Sequence, residues 1–226
     1  MTGSWDLIVI GGGHAGAEAA LAGARLGLRT VLVTHARAEI GRMPCNPAIG
    51  GLGKGHLVRE IDAVGGEMGR AIDDTVLHLR VLNRKKGPAV QAPRAQADKH
   101  AYQARLETTV CDQPGLVVVE GDATGLLVAP APAGAPSPRV VRGVRLAGGR
   151  ELRGARVVLC TGTFLRGLMH VGDRRRAGGR EGAASSESLS GELRRLGFSL
   201  RRLKTGTPPR LALDSIDAGR LQEQPS

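Results

Sequence analysis

Two stretches of this 226-residue chain carry residue types and spacings suited to chemistry. The first is Gly11-Gly12-Gly13-His14-Ala15-Gly16, which follows the short β-branched run Asp6–Ile10 and precedes an Ala/Leu-rich stretch reaching Leu26. Gly11 suits a tight turn off a strand, Gly13 lets bare backbone approach a pyrophosphate, and Gly16 lets a helix pack closely on a sheet. The helix start adds free N–H groups and a partial positive charge for phosphates. The second stretch, Arg42 to Gly55, sets Cys45-Asn46 between Pro44 and Pro47 and then runs through glycines. The prolines restrict the backbone and the glycines permit turns against a ligand, as in a loop wrapped over a cofactor.

A dinucleotide fingerprint also calls for an acid at the end of the second strand, to hold ribose hydroxyls. Thr30–Val33 reads as that strand, but it ends in Thr34-His35 and the nearest acid is Glu39. Thr34, the backbone, or Glu39 reaching back would have to serve.

The elements that position these groups follow from periodicity. Asp6–Ile10, Thr30–Val33, Leu116–Val119 and Ala155–Thr163 read as buried parallel strands, with Gly27 stopping the first helix. His56–Arg70 reads as one helix through Leu57, Ile61, Val64 and Met68, and Arg94–Val110 as another. Leu79–Leu82 reads as a short strand before the basic loop 83–88. Ala123–Val128, Val140–Leu146 and Glu151–Arg153 read as an antiparallel meander spanning 123–153, with 129–139 a flexible Ala/Pro/Gly/Ser loop. Asp173–Arg176 reads as a mobile basic loop, and Ser185 or Ser186 as the cap of a helix to Leu196. The fold class is therefore α/β, a Rossmann-like parallel sheet with helices plus a small antiparallel β-meander. Residues 1–226 read as one domain, with 35–93 inserted around a cofactor.

Composition narrows the partners. A net charge of +11 favours an acidic partner, nucleic acid first, although a GC-rich coding sequence gives the same Arg, Ala and Gly bias. Aromatic residues make up only 2% of the chain, so the core is aliphatic. Cys45, Cys111 and Cys160 lack metal-ligand spacing and point to a reducing cytosol without disulfides. Cys111 and Cys160 read as packing residues. No membrane-spanning run or signal peptide is visible, and a cytoplasmic location is expected.

The runs GGGHAG, GRMPCNPAIGGLGKGHLVREIDAVGG, RAQAD, VVLCTGTFL and RLKTGTPPR together closely resemble the N-terminal part of the tRNA uridine 5-carboxymethylaminomethyl modification enzymes, the MnmG or GidA family. The resemblance covers nearly the whole chain, and it implies that residues 1–226 are an incomplete FAD-binding domain with a glutathione-reductase-like fold, in which 35–93 is a cofactor and active-site insertion. It implies a flavoenzyme that binds FAD, is reduced by NADH and forms homodimers. With the GTPase partner MnmE and a folate-derived one-carbon unit, it would modify the wobble uridine of tRNA. By the same resemblance Gly11, Gly12, Gly13, His14, Ala15 and Gly16 hold the pyrophosphate, Ala123 lies by its backbone near the adenosine, and Ser186 touches the cofactor. Cys45 matches a cysteine needed for activity. Its thiolate suits attack on an electron-poor uracil carbon, with Arg42, Lys54 and His56 near enough in sequence to lower its pKa. Lys204 and Arg210 lie on a rigid basic loop aimed at flavin, folate or tRNA phosphate. Lys54, 84–86 and 174–176 supply candidate tRNA contacts. Three features depart from the family: Pro44 replaces the usual serine, 129–139 is longer, and 173–185 differs most. The chain is expected to be inactive alone. Two other readings are a non-catalytic nucleotide-binding fragment and an FAD- or NAD(P)H-linked small-molecule oxidoreductase.

Overall fold

The computed structural model describes residues 4–43, 46–179, 188–206 and 211–223. In chain order the strands are β1 Leu7–Ile10, β2 Thr30–Thr34, β3 Ala48–Gly50, β4 Val76–Leu82, β5 Ala92–Ala97, β6 Leu116–Glu120, β7 Ala123–Pro130, β8 Arg139–Leu146, β9 Glu151–Arg153, β10 Val157–Leu159, β11 Leu168–Val171 and β12 Arg174–Ala177. The helices are α1 His14–Arg25, α2 Lys54–Ala63, α3 Met68–Asp73, α4 Lys99–Asp112 and α5 Ser188–Arg195. They make two compact units, Met1–Arg42 with Gln103–Arg201, and Met43–Tyr102 with Arg202–Ser226.

The first unit is built on a parallel sheet in the order β10-β1-β2-β6. Strand side chains alternate between faces, and β1 and β2 are apolar on both. One face, with Leu7, Val9 and Leu32, packs on Ala17, Ala20, Leu21 and Ala24 of α1 and Val110 of α4. The other, with Ile8, Ile10, Val31 and Val33, packs on Ala123, Val144, Leu146 and Leu152 of the β7-β8-β9 meander. Each fully buried Val, Leu or Ile contributes about 1.5–3 kcal/mol. Gly27 at φ +81° closes α1, in the conformation that favours glycine. The β7–β8 ladder continues to Pro130 opposite Arg139, and Ala131 N donates to Pro138 O, so pairing extends into both ends of the 129–139 segment.

The second unit has a small core of its own. Its β3-β5-β4 sheet is antiparallel, and Ile49, Met68, Ala71, Ile72, Ala92 and Ala95 are buried. The single helix expected over His56–Arg70 is two helices. Gly65 at φ +86° ends α2, and both Leu57 and Val64 are exposed. The helix expected from Arg94 begins only at Lys99, because 92–97 is β5. Ala92, Ala95 and Ala97 are buried there, while Asp98 caps α4 by accepting from His100 N (2.9 Å) and Ala101 N (3.1 Å).

Two further corrections concern the first unit. Strand β10 is not buried: it is an outer strand of the sheet, with Val158 and Leu159 more than a third exposed. Residues 173–176 are not a loop, since Arg174–Ala177 pairs antiparallel with Leu168–Val171 in a two-stranded ribbon turning at Gly172-Asp173.

Candidate functional site

The glycine turn sits at the C-terminal ends of β1, β2 and β6, where open parallel sheets bind ligands. Its glycines do three different things. A Cβ on Gly11 would strike the carbonyl of Cys160, which follows β10, and Gly11 holds φ +107° while its N–H donates to Val33 O at 2.8 Å. A Cβ on Gly16 would strike the Gly11 carbonyl and approach the Cys160 side chain, so α1 lies directly on the strand end. A Cβ on Gly13 would meet nothing within 4 Å. Gly13 and Ala15 are exposed, and α1 starts there with Ala17 N donating to Gly13 O and no side-chain cap. Bare backbone and a helix N-terminus thus face open space. Open backbone at a helix start suits a diphosphate, the group that a dinucleotide carries.

The segment after β2 backs this turn. Gly12 lies against Thr34 Oγ1 and Ile40, and Gly41 N donates to Gly12 O at 3.0 Å. Thr34 is buried, with its hydroxyl donating to Ala36 O at 3.2 Å. Glu39 pairs with Arg42 at 2.8 Å. Sequence reasoning missed the acid that stands beside the missing position: Glu120, at the end of β6, accepts from Arg37 N at 2.6 Å. Asp122 follows, 3.7 Å from His35 Nε2, and the His35 ring tilts against Phe164 with centroids 5.7 Å apart. The signal was present, because an acid directly follows the run Leu116–Val119.

Gly11 to Gly16 and Ala123 share this end of the sheet. Ala123 is a buried core residue that opens β7 opposite Leu146. Lys204 lies in the second unit, exposed in an irregular stretch. Cys45, Ser186 and Arg210 lie outside the described residues. Of the cations proposed to tune Cys45, Lys54 Nζ donates to Ala48 O at 3.1 Å and His56 Nε2 lies 3.3 Å from Ala89 O. Cys160 is half-buried against the α1 core, and burial pushes its thiol pKa up. Cys111 is exposed on α4, which corrects its reading as a packing residue. Partial burial of its sulfur is the main cause of its raised pKa. Among the described residues no helix is long and apolar enough to cross a membrane.

The profile of the family described as "Glucose inhibited division protein A" matches residues 6–226. The chain belongs to this family. Among curated GidA-family relatives, two named tRNA uridine 5-carboxymethylaminomethyl modification enzyme MnmG are each 52% identical to it. The one from Granulibacter bethesdensis matches over 94% of this chain and 33% of its own length. The one from Geobacter sulfurreducens matches over 97% and 34%. The chain therefore spans about a third of these relatives. The crystal structure of Aquifex aeolicus GidA superposes with a TM-score of 0.88 at 46% identity, covering 98% of this chain and 36% of that one. A GidA-related protein from Thermus thermophilus superposes at 0.60 with 25% identity, covering 87% of this chain and 70% of that one. The GidA-family fold, an α/β Rossmann-like flavoprotein fold, is that of the sheet and glycine turn described above.

Proposed function

We propose that this chain is the N-terminal FAD-binding part of an enzyme that modifies the wobble uridine of tRNA. The observation that carries the reading is the open face at Gly13, framed by the close-packed Gly11 and Gly16. Gly11 to Gly16, with the N–H groups that open α1, would hold the FAD pyrophosphate, Ala123 would lie by its backbone near the adenosine, and Ser186 would add a further contact. FAD supplies two-electron redox chemistry at its isoalloxazine ring when bound, with NADH as reductant. Cys45 acts as the nucleophile toward an electron-poor uracil carbon, and Lys204 neutralises an anionic partner at the same site.

The names of the curated relatives support tRNA as substrate. A carboxymethylaminomethyl-type product implies a one-carbon donor, which a folate would supply together with the GTPase partner MnmE. A homodimer in the cytoplasm completes it. Residues 35–93 would serve as the cofactor and active-site insertion of the FAD-binding domain.

One observation favours a second reading, a nucleotide-binding fragment without catalysis: the chain covers only a third of its relatives' length. The visible spectrum of the purified chain separates them. Flavin absorption bands, or thermal protection on adding FAD, support the cofactor site. A colourless chain with no protection by FAD leaves the fragment reading.

A further inference from the structure

The β11–β12 ribbon carries three consecutive arginines, Arg174, Arg175 and Arg176, all exposed. None makes an ion pair or a side-chain hydrogen bond within the described residues. Opposite residues of an antiparallel pair point the same way and neighbours alternate. Arg174 and Arg176 therefore share one face with Val171 and Met169, while Arg175 shares the other with His170. Arg174 and Arg176 are two residues apart on one strand, so their Cα atoms lie roughly 6.6 Å apart. The ribbon buries no core, since Leu168 and Val171 are exposed, and the turn residue Asp173 is its one acid.

The root of the ribbon is tightly built. A Cβ on Gly167 would strike the carbonyls of Thr163 and Gly178, and one on Gly179 would enter the Phe164 ring. Thr163 Oγ1 donates to Gly179 O at 2.8 Å and Gly178 N to Gly167 O at 3.0 Å. Phe164 in turn packs on His35, just past the end of β2. The ribbon thus springs from the end of the sheet that carries the nucleotide cradle, fixed by backbone contacts.

From this we infer that the β11–β12 ribbon is a docking surface for the phosphodiester backbone of RNA, which Arg174 and Arg176 grip from one face and Arg175 from the other. Guanidinium forks match phosphate oxygens in pairs, and a paired ribbon holds them at fixed spacing along a strand. A single phosphate would engage one arginine, whereas a chain of phosphates engages all three. The inference rests on the tRNA reading above and deepens it, by naming where the polyanion meets the cofactor end of the sheet.

The test measures binding of an unmodified tRNA transcript to the chain as a function of salt, with polyglutamate as a competing polyanion. Three variants are compared with the wild type. One changes Arg174, Arg175 and Arg176 to Gln, one changes the same three to Lys, and one changes the exposed Arg139, Arg142 and Arg150 of the meander to Gln. Each neutralised phosphate contact contributes about 0.7–0.9 to the slope of log affinity against log salt. The ribbon Gln variant is expected to lower the slope by about 2, while the Lys and meander variants keep it. An unchanged slope in the ribbon Gln variant, or an equal fall in the meander variant, overturns the inference and leaves tRNA binding standing. Wild-type binding competed as well by polyglutamate as by tRNA overturns the tRNA reading itself.

Discussion

The carbonyl oxygen of Gly11 occupies the space that a Cβ on Gly16 would need, whereas a Cβ on Gly13, between them, would meet nothing within 4 Å. Three glycines of one motif thus divide into two that hold the fold and one that faces open space. Gly16→Ala should push α1 off the strand end and lower stability by about 1–3 kcal/mol, the usual cost of overpacking. Gly13→Ala has room and an ordinary φ of −69°, so its cost should be confined to the poorer N-cap that Ala makes, about 0.5–1 kcal/mol. FAD affinity should still fall by about tenfold or more, equivalent to roughly 1.4 kcal/mol. Thermal melting with and without FAD separates the two effects, and equal destabilisation by both variants would contradict the division.

Glu120 holds the backbone of Arg37 from the end of a neighbouring strand. Glu120→Ala should loosen the turn after β2 and weaken adenine-nucleotide binding several-fold, while Glu39→Ala should have the smaller effect. Isothermal titration with FAD measures both. The reverse ranking would move the ribose-side acid to Glu39.

Asp98 caps α4, and the two N–H groups it accepts hold its carboxyl below the usual aspartate value. A carboxylate lowered on folding stabilises above its unfolded pKa, about 3.9, and that contribution fades as pH falls through the lowered value. Asp98→Asn keeps a capping oxygen without the titration. Its melting temperature should fall less steeply than the wild type's below about pH 4 and lie close to it at pH 7. Parallel melting curves across that range would remove the cap from the acid response.

The thiols of Cys111 and Cys160 are both raised by burial, so little thiolate forms on either at pH 7. Iodoacetamide at that pH should label one cysteine fast and two slowly, and Cys45→Ser should remove the fast phase. In the complete enzyme the same variant should abolish uridine modification with flavin still bound. Labelling of all three at one rate, or undiminished modification, would deny Cys45 its role as nucleophile.

The parallel sheet and its glycine turn were legible because β1, β2 and β6 are apolar runs that no helical stripe imitates. Residues 92–98 were not, since Ala95 and Ala97 satisfy an alternating period as easily as a helical one. The cap at Asp98, which decides where the helix begins, was passed over. Arg174–Arg176 read as a loop because strand patterns presuppose a face to bury, and a ribbon wet on both sides has none. Gly65-Gly66 could have split the helix expected over 56–70, had the glycines been weighed above the spacing of Leu57 and Val64. The pairing of His35 with Phe164 left no trace in periodicity, because it joins two turns far apart in sequence at one end of the sheet.

Strand β10 bonds to β1 on one side and lies at the margin of the ladder, with Val158 and Leu159 partly open to solvent. A margin of this kind is a template on which a second polypeptide can add hydrogen bonds strand to strand. Concentrated solutions of the chain should therefore scatter light increasingly with concentration. A lysine at Val158 should suppress that association while leaving the glycine turn, on the inner strand, undisturbed.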